Sequence, residues 1–168
     1  MLAISLWLLI SFISCESVFT CKSIPKKGVP PVPRQKSSIA LIPNENILML
    51  FGGNDELYYN DLWAFDMEKL SWKIIYPNSI APDPRSYSAS FVNSKTLEFC
   101  IFGGKSSYMI YNDLWCYNGE YSQWMRDLTE NQPPPLYKLE SIYFYWNETE
   151  YLAVVGSPAS TFGLNLYM

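Results

Sequence analysis

Short apolar runs separated by polar turns recur along most of the chain. One continuous run covers residues 47–51, and another covers 99–102 with a cysteine inside it. Runs of this length are typical of strands that are buried on both faces. Each run ends in two glycines, which interrupt a strand where the backbone needs unusual dihedral angles or approaches another segment closely. The pattern therefore predicts a chain built from short β-strands.

Two segments about fifty residues apart carry the same series of residues, which indicates a repeat architecture. In each, an apolar strand ends in Gly-Gly, a Tyr-Asn-Asp-Leu-Trp pentad follows, and a second Trp comes later. The copies cover residues 34–83 and 84–134. A third, 135–168, is weaker: it has Gly-Ser for Gly-Gly and Leu136 where the second copy has an arginine. The shared marks are Gly52, Gly53, Asp61, Trp63 and Trp72, and then Gly103, Gly104, Asp113, Trp115 and Trp124.

Each full copy has room for four strands. Residues 37–42 and 86–92 read as the first strands, and the turns at 44–46 and 93–95 separate them from the apolar runs. The pentad opens the third strand and the later Trp lies in the fourth. Four short antiparallel strands make one blade of a β-propeller.

This series of marks resembles the kelch motif, and the resemblance extends over residues 33–168. It implies an all-β fold, a partial kelch-type β-propeller of about two and a half four-stranded antiparallel blades. Closed propellers have roughly four to eight blades. We therefore expect a fragment of a larger propeller, or a chain that self-associates through the exposed face of its last blade.

The first 33 residues precede the copies. Residues 1–17 contain an uncharged apolar run followed by small residues, which predicts a signal peptide and a secreted or lumenal location. An apolar first strand is the alternative interpretation. Residues 18–33 read as an extended linker rich in Pro and Lys. Asn147 begins an Asn-Glu-Thr acceptor sequence for N-glycosylation at a predicted turn.

Cys100 and Cys116 fall roughly opposite each other in neighbouring predicted strands. A disulfide between them suits an oxidising compartment, but directly opposed strand positions often fit the bond geometry poorly. Met49 and Ala64 hold the matching places in the first copy, so the repeat itself does not require cysteine. We therefore favour small buried thiols over the bond, and the disulfide state of Cys21, Cys100 and Cys116 stays open at this point.

Charge and composition argue against several classes of function. From residue 37 onward the chain has seven basic and fifteen acidic residues, which disfavours a nucleic-acid partner. The basic residues of the linker are spread out, and we expect no membrane contact through them. The chain has no histidine, which removes Ser-His-Asp triads, Cys-His pairs and His-ligated metals. No catalytic residue, cofactor or metal is predicted.

The repeats separate the scaffold from candidate binding residues. Asp61 and Asp113 are expected to bond to loop backbone near the glycines, and the tryptophans to fill space between blades. Arg34 and Arg85, each after a proline, suit a structural role and a place at one mouth of the ring equally well. Residues that differ between copies in the loop after the glycines are the candidates for partner binding. They are Asp55, Glu56, Tyr58, Lys105, Tyr108 and Met109.

The resemblance most often implies a non-enzymatic protein–protein interaction scaffold, and this is the leading hypothesis for function, with an unidentified protein partner. The alternative is a carbohydrate-binding or carbohydrate-active propeller. In that case Tyr58 and Tyr108 would serve as aromatic platforms beside loop carboxylates.

Overall fold

The fold consists of short antiparallel strands. The computed structural model describes residues 13–16, 18–21, 27–128, 133–147, 149–158 and 165–167, with side chains for 27–128, 133–144, 146–147 and 149–157. Within these residues, thirteen strands form four sheets. They are β1 Ile13–Glu16, β2 Val18–Cys21, β3 Ser38–Ile42, β4 Ile47–Phe51, β5 Leu62–Asp66, β6 Ser71–Ile75, β7 Ala89–Val92, β8 Phe99–Phe102, β9 Leu114–Asn118, β10 Gln123–Asp127, β11 Leu136–Trp146, β12 Thr149–Pro158 and β13 Asn165–Tyr167.

The three repeat copies form three consecutive sheets. Strands β3 to β6 make a four-stranded meander, here blade 1, and β7 to β10 make blade 2. Strands β11 to β13 make a three-stranded sheet, blade 3. A single 3-10 turn, Pro43–Glu45, links β3 to β4. The predicted all-β, partial kelch-type propeller is confirmed.

The segment before blade 1 contains a hairpin in which β1 pairs with β2. Further on, the Lys27 N–H donates to the Leu70 carbonyl at 2.8 Å, and the Trp72 N–H donates to the Lys27 carbonyl at 3.2 Å. The predicted linker thus includes a strand and a backbone bridge to β6. Residues 1–12 and 17 of the predicted signal peptide lie outside the described residues, so that interpretation stays a prediction.

Serine side chains join the inner strands of the three blades. The Ser38 hydroxyl donates to the Ser88 carbonyl at 3.3 Å, between β3 and the segment entering β7. Ser90 in β7 donates to the Ile39 carbonyl at 2.9 Å and accepts from the Ile39 N–H at 3.0 Å. Ser141 in β11 donates to the Ser90 carbonyl at 3.5 Å. Small hydroxyls at these positions let neighbouring strands approach while satisfying their backbone groups.

The four tryptophans of the repeats pack either between blades 1 and 2 or within blade 1. Trp124 lies between blades, with its ring edge-on to Phe51 of blade 1 at 5.1 Å. Trp72 packs within blade 1, where its ring centroid is 5.1 Å from that of Phe65. Trp63 and Trp115 are half-buried and donate their indole N–H groups to neighbouring carboxylates. Trp124 belongs to the apolar cluster between blades 1 and 2, and Trp115 packs against the same cluster, whereas Trp63 and Trp72 pack in a cluster within blade 1.

Blade 2 contains a buried ion pair at its diglycine turn. Arg85 forms a two-pronged pair with the Asp113 carboxylate, one bond of which measures 3.0 Å. The same guanidinium donates to the Gly103 carbonyl at 3.2 Å and to the Asp83 carbonyl at 3.0 Å. It also stacks over the Tyr111 ring at 3.7 Å. Fork-shaped pairing of this kind combines strength with fixed geometry.

Blade 1 repeats the arrangement with Arg34. This guanidinium pairs with Asp61, with one bond at 2.9 Å, and donates to the Gly52 and Val32 carbonyls at 3.1 Å each. It lies over the Tyr59 ring at 3.9 Å. Both arginines are therefore structural. The aspartate carboxylates accept from these guanidinium groups and from the Trp63 and Trp115 indoles, while the bonds to the carbonyls of the diglycine turns are made by the arginines.

The second glycine of each turn lies in tight contact with the preceding chain. Gly104 has a φ of 93°, and a Cβ there would lie 2.4 Å from the Ser88 hydroxyl and 2.8 Å from the Ser86 carbonyl. Gly53 has a φ of 95° and similar contacts. Only glycine fits both the backbone angle and the space. Blade 3 lacks this turn and replaces the arginine by Leu136, which is fully buried in an apolar cluster.

Cys100 and Cys116 form a disulfide between β8 and β9. Their Cα atoms are 4.0 Å apart, which is nearer to the roughly 4.5 Å of the closer kind of opposed pair in an antiparallel ladder than to the roughly 5.5 Å of the wider kind. The preference for unlinked buried thiols was wrong, because the sequence showed that the residues are opposed but not which kind of site they occupy.

We expect Asp113→Asn to lower the free energy of unfolding by about 3–5 kcal/mol, because it leaves the Arg85 charge buried without a partner. Asp61→Asn is the matched control in blade 1. The Asp61 side chain is 26% exposed, against 9% for Asp113, so water already screens the pair in blade 1 more strongly and the loss should be smaller. Urea unfolding measures both variants. Equal, small losses would contradict the ion pair's structural role.

The same pair predicts a pH dependence. Burial alone would raise the pKa of Asp113, but the bonds and charge of Arg85, with the Trp115 indole, outweigh it and lower the pKa. The ion pair's contribution is therefore complete above the aspartate's unfolded pKa, about 3.9, and is lost as the pH falls through the lower folded value. Melting curves between pH 3 and 7 should show a smaller acid-induced loss for Asp113→Asn than for the wild type.

The disulfide joins positions 16 residues apart, a loop for which about 3 kcal/mol of stabilisation is expected. Cys100→Met with Cys116→Ala introduces the residues that blade 1 pairs at the matching positions, Met49 and Ala64. This variant should unfold at a lower urea concentration than the oxidised wild type and be insensitive to reductant. A wild type whose unfolding midpoint does not move on reduction would refute the prediction.

Candidate functional site

The loop after the diglycine turn of blade 1 is held by one acidic side chain. In loop 1, residues 54–61, the Asp55 carboxylate accepts from the Leu57 N–H at 2.9 Å and from the Tyr59 hydroxyl at 2.7 Å. These bonds, that of the Leu57 amide first, lower the pKa of Asp55. The carboxylate therefore stays ionised at neutral pH and folds the loop upon itself.

The corresponding loop of blade 2 is held by a serine. In loop 2, residues 105–113, the Ser106 hydroxyl oxygen accepts from the N–H groups of Tyr108 and Met109 at 3.2 and 3.3 Å. The Tyr111 hydroxyl donates to the same oxygen at 3.2 Å. Both loops thus have their tips fixed by short-range polar bonds, although the residues that make them differ.

Arg85 connects the two loops. Its backbone N–H donates to the Tyr59 carbonyl of loop 1 at 3.0 Å, and its carbonyl accepts from the Gly53 N–H at 2.8 Å. Its side chain meanwhile holds Gly103 and Asp113 at the two ends of loop 2. One residue therefore sets the position of loop 1 through its backbone and of loop 2 through its side chain.

A groove of about 570 Å³ lies between the loops. Apolar tips border it, with Leu57 69% exposed, Met109 54% and Tyr108 95%. Contiguous exposed apolar side chains of this kind are typical of interaction sites. Glu56, Tyr58, Asp83, Pro84 and Tyr111 also line the groove. It is called the loop groove below.

Four predicted binding residues meet at the loop groove: Glu56, Tyr58, Tyr108 and Met109. Asp55 lies in loop 1, but its carboxylate is engaged by the loop's own donors.

Lys105, predicted as part of the same site, lies elsewhere. Its ammonium is 5.6 Å from the Tyr87 ring and 5.1 Å from the Tyr137 ring. Two groove residues, Asp83 and Pro84, come from the connector between blades and were not among the predicted binding residues. Only the folded backbone, which brings the connector under loop 1, reveals them.

The loop groove carries negative charge. Glu56 and Asp83 are exposed at its rim, and no ion pair engages either of them within the part of the chain that the structure describes. The neighbouring guanidinium groups of Arg34 and Arg85 are neutralised by Asp61 and Asp113. The site thus combines exposed aromatic and aliphatic tips with a carboxylate rim.

Other features of the described residues offer less chemistry. No cluster of three or more His, Cys, Asp or Glu residues there has metal-binding geometry. A second cavity, of about 690 Å³, opens between blades 1 and 2 at the opposite ends of the strands and is lined by Ile47, Ile75 and Leu97 among others. No helix among the same residues is long and apolar enough to span a bilayer.

Blade 3 carries the remaining predicted features. Ile142 and Trp146 are exposed in β11, on the last blade, where self-association was expected. Asn147 lies exposed at the turn between β11 and β12 with a φ of 48°, and its acceptor Thr149 is also exposed. The acceptor sequence is therefore reachable by a modifying enzyme at Asn147.

Comparisons with known proteins agree with this architecture. The KLHDC2/KLHL20/DRC7 Kelch-repeats domain matches residues 11–165. The flagellar outer arm dynein alpha chain of Chlamydomonas reinhardtii is 31% identical over 113 residues, covering 66% of this chain and 2% of the dynein. Acyl-CoA-binding domain-containing protein 4 of Arabidopsis thaliana is 30% identical over 109 residues, 64% of this chain and 16% of that protein.

A third relative is an enzyme. The N-(sulfonatooxy)prop-2-enimidothioate sulfolyase of Thlaspi arvense is 31% identical over 102 residues, 59% of this chain and 28% of the sulfolyase. The chain thus spans under a third of each of these three relatives. The family match covers nearly the whole chain, and the repeat marks, the meander sheets and the Arg–Asp pairs of blades 1 and 2 accompany it. The chain belongs to the kelch-repeat family.

Proposed function

We propose that the chain is a non-enzymatic interaction scaffold that binds a protein partner across the loop groove. The observation that carries this proposal is the convergence of loops 1 and 2, which expose Leu57, Tyr108 and Met109 side by side on a rigid framework. Tyr and Met are favoured in the cores of protein interfaces. Rigid loops lose little conformational entropy on binding, which favours affinity.

The family supports the same class of function, since kelch domains generally mediate protein–protein binding. The sulfolyase among the relatives shows that enzymes also carry such repeats. For this chain, the lack of histidine and the exposed, unpaired state of the Glu56 and Asp83 side chains favour binding over catalysis.

The chemistry of the groove indicates the kind of partner segment. An apolar stretch would cover Leu57, Tyr108 and Met109, and flanking Lys or Arg residues would meet Glu56 and Asp83. Charge pairing at an exposed rim contributes modestly to affinity but orients the partner. We therefore propose a partner with an apolar segment bordered by basic residues.

We also propose that the protein enters the secretory pathway. The apolar start of the chain, the Cys100–Cys116 disulfide and the exposed Asn147 support this location. Treatment of the native protein with a peptide-N-glycosidase should lower its mass by that of one glycan. An unmodified Asn147 together with reduced cysteines in the native protein would count against secretory entry.

A carbohydrate ligand is the alternative occupant, because Tyr58 and Tyr108 lie at the same groove as two carboxylates. Aromatic faces and acidic side chains are the usual partners of sugars. A glycan array probed with the purified chain tests this alternative, and saturable binding that Tyr108→Ser abolishes would support it in place of a protein partner.

The scaffold is tested by placing a photo-crosslinking amino acid at position 108 and identifying the captured protein by mass spectrometry. That protein, once purified, should bind the double variant Leu57→Ser with Met109→Ser at least about tenfold more weakly than the wild type, because the variant removes two apolar tips. The matched control, Ile80→Ser with Tyr121→Ser, changes exposed apolar residues away from the groove and should bind normally.

Equal weakening by both double variants would mean that general surface hydrophobicity, and not the loop groove, governs the interaction. Unchanged binding by the groove variant would reject the site.

A further inference from the structure

Three lysines and two tyrosines form one connected cluster beside the inner strands. The ammonium of Lys36 lies 4.7 Å from the Tyr87 ring centroid. That of Lys105 lies 5.6 Å from the same ring and 5.1 Å from the Tyr137 ring, and that of Lys138 lies 5.8 Å from Tyr137. The two rings meet edge-on at 6.5 Å. We call this the lysine–tyrosine cluster.

Three of these residues occupy equivalent positions in the three blades and share the same unusual backbone conformation. Lys36, Tyr87 and Lys138 are 51 residues apart in turn, and each has a left-handed backbone, with φ of 59°, 61° and 54°. The Tyr87 N–H donates to the Lys36 carbonyl at 3.0 Å, and the Leu139 N–H donates to the Tyr87 carbonyl at 3.4 Å. These bonds link Lys36 to Tyr87, and Tyr87 to the residue after Lys138, across consecutive blades.

The choice of side chain at these three positions is not explained by the fold. Glycine adopts a left-handed backbone at no steric cost, whereas lysine and tyrosine do not. Lys36 and Lys138 are exposed, so burial does not account for them either. Residues that are not glycine and are held in a left-handed backbone cluster at functional sites.

The positive charge of the cluster is uncompensated. In the region that the structure describes, the ion pairs are Arg34–Asp61, Lys69–Asp66, Arg85–Asp113 and Lys95–Glu150. No carboxylate there lies within 4 Å of Lys36, Lys105 or Lys138. Ring faces attract ammonium groups but leave their net charge in place. The chain as a whole has a net charge of −4, yet these three amines share two ring partners and have no acidic partner, so a bound anion would reduce the repulsion among them.

We propose that the lysine–tyrosine cluster is a binding site for an acidic peptide segment. The three ammonium groups would pair with successive carboxylates, and the rings of Tyr87 and Tyr137 would support the segment between them. A peptide fits the three lysines better than a single small anion does, because they are distributed over three blades and a peptide can carry several carboxylates along its length. The site is separate from the loop groove, whose rim is acidic and would repel the same segment.

The test uses a fluorescein-labelled octaglutamate peptide and the purified chain, with binding followed by anisotropy at low salt. The triple variant Lys36→Gln, Lys105→Gln and Lys138→Gln should bind on the order of tenfold or more weakly, since each exposed pair contributes modestly and three are removed. Added sodium chloride should weaken wild-type binding, because salt screens exposed charges.

A charge-matched control separates a site from the effect of net charge. Lys69→Gln, Lys73→Gln and Lys95→Gln remove the same three charges outside the cluster, and this variant should bind within about twofold of the wild type. Equal weakening in the two triple variants would overturn the proposal, as would the absence of peptide binding by the wild type.

Lys36→Gly separates binding from folding. The change relieves the left-handed strain, so the melting temperature should stay the same or rise while peptide binding weakens severalfold. A lower melting temperature with unchanged peptide binding would show that Lys36 serves packing, against the proposal.

A competition experiment then distinguishes a peptide from a small anion. Sodium phosphate, compared with sodium chloride at equal ionic strength, should displace the labelled octaglutamate no better than chloride does. Unlabelled octaglutamate should displace it fully. Selective displacement by phosphate would overturn the assignment to a peptide.

Discussion

The buried pair of Arg85 and Asp113 is the interaction on which the arrangement of the loops depends. Two ionised groups are costly to bury, and their attraction offsets that cost only when the geometry is good and the remaining donors are satisfied. Here the guanidinium also bonds to the Gly103 and Asp83 carbonyls and lies over the Tyr111 ring. Because the backbone of Arg85 holds loop 1 while its side chain holds loop 2, the pair fixes the two walls of the loop groove relative to each other.

Blade 3 keeps the backbone hydrogen bonds of this arrangement but not its ion pair. Leu136 makes the same two backbone bonds as Arg85. Its carbonyl accepts from the Gly104 N–H at 2.9 Å, and its N–H donates to the Tyr111 carbonyl at 3.1 Å. Its side chain is apolar and buried against Leu139 and Val154. The aspartate position is also changed, since Asn165 falls where the second copy has Asp113. An apolar contact can therefore replace the ion pair when both of its members change together.

The fold was largely predictable, because its determinants are local and repeated. The apolar runs, the paired glycines and the pentad each specify a strand or a turn, and their spacing specifies blades. The partners of Asp61 and Asp113 were not predictable, because Arg34 and Arg85 precede them by 27 and 28 residues and only strand pairing brings them together. The residues of the loop groove were predicted only in part, because some of them reach it from segments that are distant in sequence. Glu56, Tyr58, Tyr108 and Met109 lie in variable loops, whereas Asp83 and Pro84 enter from the connector and Lys105 points to another cluster.

Hydrogen exchange of loops 1 and 2 in Arg85→Met tests most directly whether one residue positions both walls of the groove. The Met side chain keeps bulk but makes no bond to Gly103 or Asp113, while the backbone of residue 85 still bonds to loop 1. The account predicts much faster amide exchange in residues 105–113 and little change in 54–61. Unchanged exchange in residues 105–113 would contradict it, because loop 2 would then hold its position without the ion pair.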